Sequence, residues 1–273
     1  MKKAQIVSIL AMFVLMAGLA GAAIGPTGGT EDFEGMTLLD DAGITVPDLP
    51  SNWDTFNITT DPVYYYDTSV GGGTLDTTGW STAAGLTKPT GSTADIKMAP
   101  TTTAGDGWRY LRGPVITNAQ DSLYTFWVGL SATPAEQDFA FGVYYNNSDF
   151  TFIRVNFILN TSPQSVSFRT KGIVVLDDAT GNDNTNAATV NLNEWNKVEI
   201  SVASSSTAQG SFSMKLNGVQ YHSGTIPIDA AGVLSTHQFK VYAHHNSISG
   251  VAYLDDVTLA LGGGTGEEDW RLY

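Results

Sequence analysis

The chain has 273 residues, no cysteine, and 13 Lys and Arg against 27 Asp and Glu, which gives a formal net charge of −14. The lack of cysteine excludes disulfide bonds, thiolate nucleophiles and cysteine-ligated metal centres. The acidic balance argues against a nucleic-acid partner, because such binding depends on a basic patch that neutralises phosphates. The length allows a sizeable core, since a chain of about 250 residues buries roughly 70% or more of its unfolded surface.

The first 22 residues have the pattern of an export signal. Lys2 and Lys3 precede an apolar run from Ile6 to Leu19, and Ala20-Gly21-Ala22 supplies the small residues of a cleavage site. We therefore expect residues 1–22 to be a signal peptide and the protein to be secreted or held at the cell surface. No second apolar run approaches about 18 residues, so we expect no membrane span after cleavage.

The rest of the chain divides into three parts by composition. Residues 23–30 are small and rich in Gly and Thr, and we expect a disordered leader. Residues 31–261 carry the strand signals of one domain. Residues 262–273 begin with the Gly-rich run Gly262 to Gly266 and continue as an acidic, aromatic segment, which predicts a flexible tail.

Apolar and polar residues alternate with the period of a strand over much of this domain. Lys197 to Val202 and Phe212 to Asn217 each present one apolar face, and Asn217-Gly218 is the sequence of a tight hairpin turn. Further β-branched and aromatic runs are Leu123–Leu130, Phe139–Tyr145, Phe150–Leu159, Val166–Phe168, Ile173–Leu176, Phe239–Ala243 and Val251–Leu261. No helical period follows the signal. The pattern predicts an all-β fold, an antiparallel β-sandwich.

Four stretches of the chain resemble one group of sandwich domains. They are Asn193–Ile200 with its Trp195, Phe212–Gly218, Ala252–Leu259 and the opening Asp32–Gly35. Together they resemble the laminin-G-like and concanavalin A-like jelly rolls, including many carbohydrate-binding modules, with a continuous resemblance from about Ser122 to Leu261. The resemblance implies a jelly-roll sandwich. It leaves function open, because such sandwiches host lectins, glycosidases, lyases and adhesion domains.

Two strands carry the residue types that bind sugars. Strand alternation places Lys240, Tyr242 and His244 on one face, opposite Phe239, Val241 and Ala243, and it places Arg154 and Asn156 on one face of another strand. Aromatic rings pack on sugar C–H groups, while amides and charges bond to hydroxyls. The residues expected to bind carbohydrate are Tyr144, Arg154, Asn156, Lys240, Tyr242 and His244. We expect Trp127 and Trp195 in the core.

Acidic residues near the two ends of the domain predict a structural calcium ion. Asp255 shares a face with apolar neighbours such as Tyr253 and Val257, where a carboxylate needs a cation, a hydrogen-bond cluster or a rim position. Asp256 is expected on the opposite face. Jelly-roll modules of the kind that this chain resembles often hold calcium where the first and last strands meet, and carboxylate oxygens suit that ion. The expected ligands are Glu31, Glu34, Asp255 and Asp256.

The sequence favours a non-catalytic role, binding of a polysaccharide or a surface glycan outside the cell. The first alternative is a structural or adhesive surface protein with no small ligand. The second is a polysaccharide lyase or glycoside hydrolase that uses the face with Lys240, Tyr242 and His244. For hydrolysis, Glu136 and Asp138 supply only part of the expected carboxylate pattern, and solvated loop acids explain them better.

Overall fold

Extended strands form the regular structure of this protein in a computed structural model. The structure describes residues 24, 28–34, 42–43, 49–50, 52–56, 64–69, 74–89, 94–99, 108–117, 121–131, 138–145, 152–158, 164–171, 184–203, 210–226, 236–244 and 251–262. Within these ranges there is no helix, and therefore no helix that is long and apolar enough to cross a membrane. The expected signal peptide and residues 263–273 lie outside the described residues, as does the expected strand Ile173–Leu176.

Seventeen strands follow one another along the described chain. They are β1 (Gly29–Glu31), β2 (Ala42–Gly43), β3 (Asp54–Phe56), β4 (Tyr64–Thr68), β5 (Ser81–Thr82), β6 (Ala94–Met98), β7 (Trp108–Thr117), β8 (Asp121–Ser131), β9 (Asp138–Tyr145), β10 (Phe152–Ile158), β11 (Gln164–Lys171), β12 (Asn184–Val190), β13 (Glu194–Ala203), β14 (Gly210–Leu216), β15 (Val219–Ile226), β16 (Thr236–His244) and β17 (Val251–Gly262).

The strands form two sheets. Sheet 1 has ten strands in the order β15-β14-β13-β8-β17-β6-β4-β2, with β1 added to β17 and β5 added to β13. Sheet 2 has seven strands in the order β12-β11-β10-β9-β16-β7-β3. The pairs are antiparallel apart from the short parallel pair of β5 with β13. The predicted all-β, antiparallel sandwich is therefore confirmed.

The main core lies between the two sheets and follows the predicted alternation. Val198, Ile200 and Val202 of β13 are buried there, and so are Phe239 and Val241 of β16. Aromatic rings join the sheets: the rings of Phe126 and Phe239 lie 5.0 Å apart and those of Phe126 and Phe141 5.9 Å apart, in geometries that aromatic pairs prefer. The sequence pattern thus identified which face of these strands is inward.

The predicted hairpin is present between β14 and β15. Asn217 and Gly218 have φ values of 53° and 80°, the left-handed region that a two-residue turn of this type requires. The Asn217 side chain also accepts a hydrogen bond from the Lys197 backbone N–H at 2.9 Å, so the turn is anchored to the neighbouring strand.

The ordered domain begins earlier than the sequence predicted. Gly29 and Thr30, expected in a disordered leader, lie in β1 and pair with Leu259 and Thr258 of β17. Small residues suit this position because the backbones approach closely: a Cβ at Gly28 would lie 2.6 Å from the carbonyl oxygen of Leu259. Regular structure therefore begins before residue 31, in β1.

A second hydrophobic cluster lies on the outer face of sheet 1, away from the main core. Trp127, Trp195 and Tyr253 are buried here, and Trp80 from the segment 74–89 packs against them. The side chain of Trp80 occupies the space that Gly129 leaves open, where a Cβ would lie 2.2 Å from the indole ring. Trp127 and Trp195 are therefore buried as predicted, but outside the core between the sheets.

Candidate functional site

Sheet 2 brings together on its outer face most of the residues that the sequence predicted to bind sugar. Arg154 of β10 lies in register with Gly142 of β9, which lies in register with Lys240 of β16. One row along, Asn156 is in register with Ala140, which is in register with Tyr242. We call the set Tyr110, Tyr144, Phe152, Arg154, Lys240 and Tyr242 the tyrosine–cation cluster.

Each cation of this cluster contacts two rings. The Lys240 ammonium lies 5.6 Å from the ring centre of Tyr110 and 5.1 Å from that of Tyr144. The Arg154 guanidinium lies 4.1 Å from the Phe152 ring and 5.1 Å from the Tyr242 ring. Arg154 Nη1 also donates a hydrogen bond to Tyr144 Oη at 3.4 Å. These are cation–π distances, so the ring faces stabilise the two positive charges.

The tyrosine–cation cluster is closed to solvent. Tyr144, Arg154, Asn156, Lys240 and Tyr242 each expose at most 4% of their surface. The tyrosine rings of the cluster pack on one another and on the two cations, and they are buried. The structure describes only the backbone of His244, in β16. Sugar binding stays a prediction for the six residues named from the sequence, which are Tyr144, Arg154, Asn156, Lys240, Tyr242 and His244.

On the opposite side of the molecule, β17 changes partners at two aspartates. Its residues 252–254 pair with β6, and its residues 257–259 pair with β1. Between them the register with β8 shifts, and Asp256 takes a positive φ of 49°, as in a β-bulge. The prediction that Asp255 and Asp256 point to opposite faces is wrong for this reason, since both carboxylates reach the same ammonium group.

That ammonium belongs to Lys88. Its Nζ lies 2.5 Å from Asp255 Oδ2 and 3.0 Å from Asp256 Oδ2, and 4.9 Å from the ring centre of Trp195. Burial alone would lower the pKa of Lys88, but the two carboxylates outweigh it and raise the pKa above its usual value. Burial raises the pKa of Asp256, Lys88 opposes this, and Asp32 adds to it.

The other expected calcium ligands lie at the start of the domain. Glu31 of β1 is opposite Val257 of β17, and its Oε1 accepts a hydrogen bond from the Phe33 backbone N–H at 3.1 Å. Burial raises the pKa of Glu31 to about 7, despite that hydrogen bond, and Asp32 adds to the rise. No group of three or more acidic or histidine side chains with metal-binding geometry occurs in the described ranges. Lys88 places a positive charge beside Asp255 and Asp256, and calcium binding by Glu31, Glu34, Asp255 and Asp256 stays a prediction.

Further buried carboxylates accompany this ion pair and were missed at the sequence level. Asp67 and Asp95 are in register on β4 and β6. Asp67 accepts hydrogen bonds from the Asp76 backbone N–H, and Asp95 accepts one from Thr77 Oγ1 at 2.8 Å. Burial raises the pKa of Asp95 well above its usual value, and the charges of Asp67 and Asp255 add to the rise. Segment 74–89 therefore anchors to sheet 1 through polar as well as aromatic contacts.

Beside this ion pair, a cleft of about 610 Å³ lies against the outer face of sheet 1. Its lining residues are Thr30, Asp32, Leu86, Thr87, Pro89, Thr125, Trp127, Lys197, Asp256 and Thr258. They come from β1, β8, β13, β17 and the segment 74–89, apart from Asp32, which follows β1. The hydroxyls of Thr30 and Thr258 lie 3.1 Å apart, and Lys197 Nζ lies 3.1 Å from Glu199 Oε1. Residues with hydroxyl, carboxylate and indole side chains therefore line the same cleft.

Sequence reasoning did not assemble this cleft, although part of the signal was present. Thr125 and Trp127 alternate with the core residues Tyr124 and Phe126 on β8, so strand alternation already placed them on the outer face. Their meeting with Asp32 and the segment 74–89 depends on contacts between distant parts of the chain.

No protein-family model and no curated protein matches the chain. Three solved structures illustrate what it is similar to. The endo-beta-1,4-glucuronan lyase from the fungus Trichoderma reesei is 18% identical, with a TM-score of 0.46, covering 72% of this chain and 95% of the lyase. The Emp47p carbohydrate recognition domain is 8% identical, with a TM-score of 0.47, covering 82% and 94%. The alginate lyase PA1167 from Pseudomonas aeruginosa is 15% identical, with a TM-score of 0.45, covering 62% and 83%. All three TM-scores are below 0.5, and these similarities carry no weight for the function of this chain.

Proposed function

We propose that this protein binds carbohydrate without cleaving it, and that a short segment of the glycan lies in the cleft on sheet 1. The observation that carries the proposal is the chemistry of the lining, where threonine, aspartate and apolar residues surround one cleft. The volume of about 610 Å³ lies within the range of roughly 300–1,000 Å³ that ligand sites occupy. That volume suits one or two sugar rings.

The lining matches what a sugar ring presents. Thr30, Thr125 and Thr258 have hydroxyls that both donate and accept hydrogen bonds, as sugar hydroxyls do. Asp32 and Asp256 add acceptors for sugar hydroxyl groups. Leu86 and Pro89 of the segment 74–89 are apolar lining residues that are at least partly exposed, and they offer an apolar surface to sugar C–H groups.

Binding without cleavage fits the titratable groups of this cleft. Asp256 lies within 3.0 Å of the Lys88 ammonium, which already engages one of the two carboxylates that hydrolysis of a glycosidic bond needs. Among the described residues that line the cleft there is no histidine or tyrosine to act as a base. The cleft therefore supplies contacts for recognition, and we assign it no catalytic step.

A second candidate function rests on the tyrosine–cation cluster of sheet 2. Arg154 and Lys240 are two positive charges set among tyrosines on one face. Such a face suits a polysaccharide that carries carboxylates, whether it is bound or cleaved by a lyase with Tyr242 as the base. The buried state of these side chains means that the cluster must open before a chain reaches it.

One experiment separates these functions. The secreted protein is incubated with neutral, amino and uronate-containing polysaccharides, and both depletion of the protein and release of reducing or unsaturated ends are scored. We expect depletion by a non-anionic glycan and no products. Released ends would contradict the non-catalytic proposal, and depletion by uronate polymers alone would favour the tyrosine–cation cluster. No depletion by any glycan would overturn both and support a structural surface role.

Matched variants locate the binding. Thr125→Val removes a cleft hydroxyl and keeps the branched shape, whereas Thr189→Val makes the same change on the exposed face of β12. Lys240→Met removes a charge of the tyrosine–cation cluster. We expect Thr125→Val alone to weaken glycan retention, by roughly threefold to tenfold, the loss expected for one hydrogen bond. If Lys240→Met weakens glycan retention and Thr125→Val does not, the binding site lies on sheet 2 instead.

A further inference from the structure

Acidic residues outnumber basic ones among the described residues at the cleft on sheet 1. Asp255 and Asp256 both contact the Lys88 ammonium. Asp32, in the lining, is a third carboxylate. The lining cation Lys197 lies 3.1 Å from the Glu199 carboxylate, which offsets its charge. The cleft is therefore anionic, within a chain of net charge −14.

We propose that this cleft selects glycans that bear a free amino group over their neutral counterparts and rejects glycans that bear carboxylate or sulfate groups. This inference rests on the proposed function, since it names the class of glycan for the same cleft. A protonated amine placed between Asp32 and Asp256 balances the charge of the lining, whereas an acidic sugar adds to the repulsion.

The protein already holds an ammonium group with this chemistry next to the cleft. Lys88 Nζ is bound by the carboxylates of Asp255 and Asp256 and lies 4.9 Å from the ring of Trp195. The cleft has a carboxylate pair of its own, Asp32 and Asp256. An ammonium donates three hydrogen bonds, so the threonine hydroxyls of the lining add acceptors beside these two carboxylates.

The electrostatics of Asp256 support the same conclusion. Burial raises its pKa, Lys88 lowers it, and the charge of Asp32 raises it again, so the Asp32 carboxylate opposes the ionisation of Asp256. A ligand cation between them removes this repulsion, which makes binding of the amine and ionisation of Asp256 mutually favourable.

The test compares two oligosaccharides that differ only in the amine. A β-1,4-linked glucosamine tetramer and its fully N-acetylated form are titrated into the protein by calorimetry, with an oligouronate of equal length as a third ligand. We expect the free-amine tetramer to bind roughly fivefold or more tightly than the acetylated one at low salt, the scale of one ion pair at a partly exposed site. The preference should shrink as salt is added, and the oligouronate should not bind.

Two variants show whether the preference arises in the cleft. Asp32→Asn removes one lining charge and keeps the Oδ1 atom that accepts the Glu34 backbone N–H at 3.2 Å. Glu194→Gln removes one charge from β13 at a residue outside the lining. We expect Asp32→Asn to abolish the preference for the amine and Glu194→Gln to preserve it. The salt series and the ligand pair on the wild-type protein provide the same comparison should Asp32→Asn fail to fold.

The outcomes separate this inference from the proposed function. Equal affinity for the two tetramers overturns the amine preference and leaves carbohydrate binding in place. If Asp32→Asn and Glu194→Gln lose the amine preference equally, the overall acidity of the protein attracts the amine and the cleft does not. This result also overturns the inference. Tight binding of the oligouronate contradicts it directly. If no ligand binds, both the inference and the proposed function are overturned.

Discussion

Gly142 lies directly opposite Arg154 in sheet 2, and a Cβ atom at position 142 would lie only 2.4 Å from the Arg154 Cβ. The same atom would lie 2.4 Å from the carbonyl oxygen of Ile153. The missing side chain of Gly142 is therefore what allows Arg154 and Lys240, on either side of it, to lie over the tyrosines of the cluster.

We expect Gly142→Ala to destabilise the protein by about 1–3 kcal/mol, because the added methyl group meets backbone and Cβ atoms that cannot move aside. Urea denaturation measures the change. Gly113→Ala is the matched control in the same sheet, since its Cβ would meet only ordinary contacts at 3.5 Å and beyond. Equal stability of both variants would mean that the strands shift to accommodate residue 142.

We expect Lys88→Met to cost about 3 kcal/mol or more in unfolding free energy, because it leaves the fully buried Asp255 without its cation. Lys197→Met breaks the more exposed pair with Glu199 and should cost less than about 1 kcal/mol. Adding Asp255→Asn to Lys88→Met should recover part of the loss. A double variant that loses the sum of both single effects would show that the ion pair contributes no coupling energy.

Chelation tests whether calcium binds at Asp255 and Asp256 and stabilises the fold. Because Lys88 supplies the positive charge beside Asp255 and Asp256, we expect EDTA to leave the melting temperature unchanged. A melting temperature that falls with EDTA and recovers with added calcium would contradict this expectation and confirm the calcium prediction. In that case Asp256→Ala should remove the effect of the chelator, while Glu194→Gln should not.

Acid should destabilise the protein through His237. Burial lowers the pKa of this histidine from 6.5 to about 4, so the unfolded chain binds the proton more tightly. Stability is therefore complete above pH 6.5 and falls as the pH drops toward 4, by up to about 3 kcal/mol. His237→Gln should flatten this dependence in urea denaturation, and the half-buried His222→Gln should not. An unchanged slope in His237→Gln would assign the acid sensitivity to other groups.

The ionisation of Glu31 should change stability with pH in the opposite direction, with stability lost as the pH rises. Burial raises its pKa from 4.5 to about 7, so the folded protein binds the proton more tightly and loses stability as the pH rises from 4.5 through 7. Glu31→Gln keeps an acceptor for the Phe33 backbone N–H, and we expect it to raise the melting temperature at pH 8 and to change it little at pH 4. Glu34→Gln is the control. A loss of stability in Glu31→Gln at pH 8 would contradict the assignment.

Local patterns in the sequence predicted the parts of the fold that depend on near neighbours. Alternation identified the inward face of β16, where Phe239 and Val241 enter the core, and Asn217-Gly218 marked the hairpin. These features need only the period of a strand and the conformational preference of two residues. The same rule put Lys240 and Tyr242 on one face of β16 and Arg154 and Asn156 on one face of β10, whereas their meeting through β9 depends on strand pairing.

The sheet 1 site could not be derived this way. Lys88 and Asp255 are 167 residues apart, and nothing local to either indicates the other. The bulge at Asp256 arises where β17 exchanges β6 for β1, and alternation fails at such a point because one extra residue reverses the faces. Trp127 was assigned to the core because aromatic residues are usually buried, and it is buried, but under a segment that the sequence marks only as loop.

The central place of β17 in sheet 1 has a consequence for how the chain folds. This strand, the last of those described, pairs with β8 on one side and with β6 and β1 on the other, so Thr30 and Thr258 meet across 228 residues. As the chain is made from its N-terminus, β1, β6 and β8 emerge without the strand that joins them. Sheet 1 therefore closes only after residues 251–262 have been synthesised, and such long-range pairing makes folding slow. The ion pair of Lys88 with Asp255 can form only after β17 has been made. It then links the segment 74–89 to the completed sheet 1.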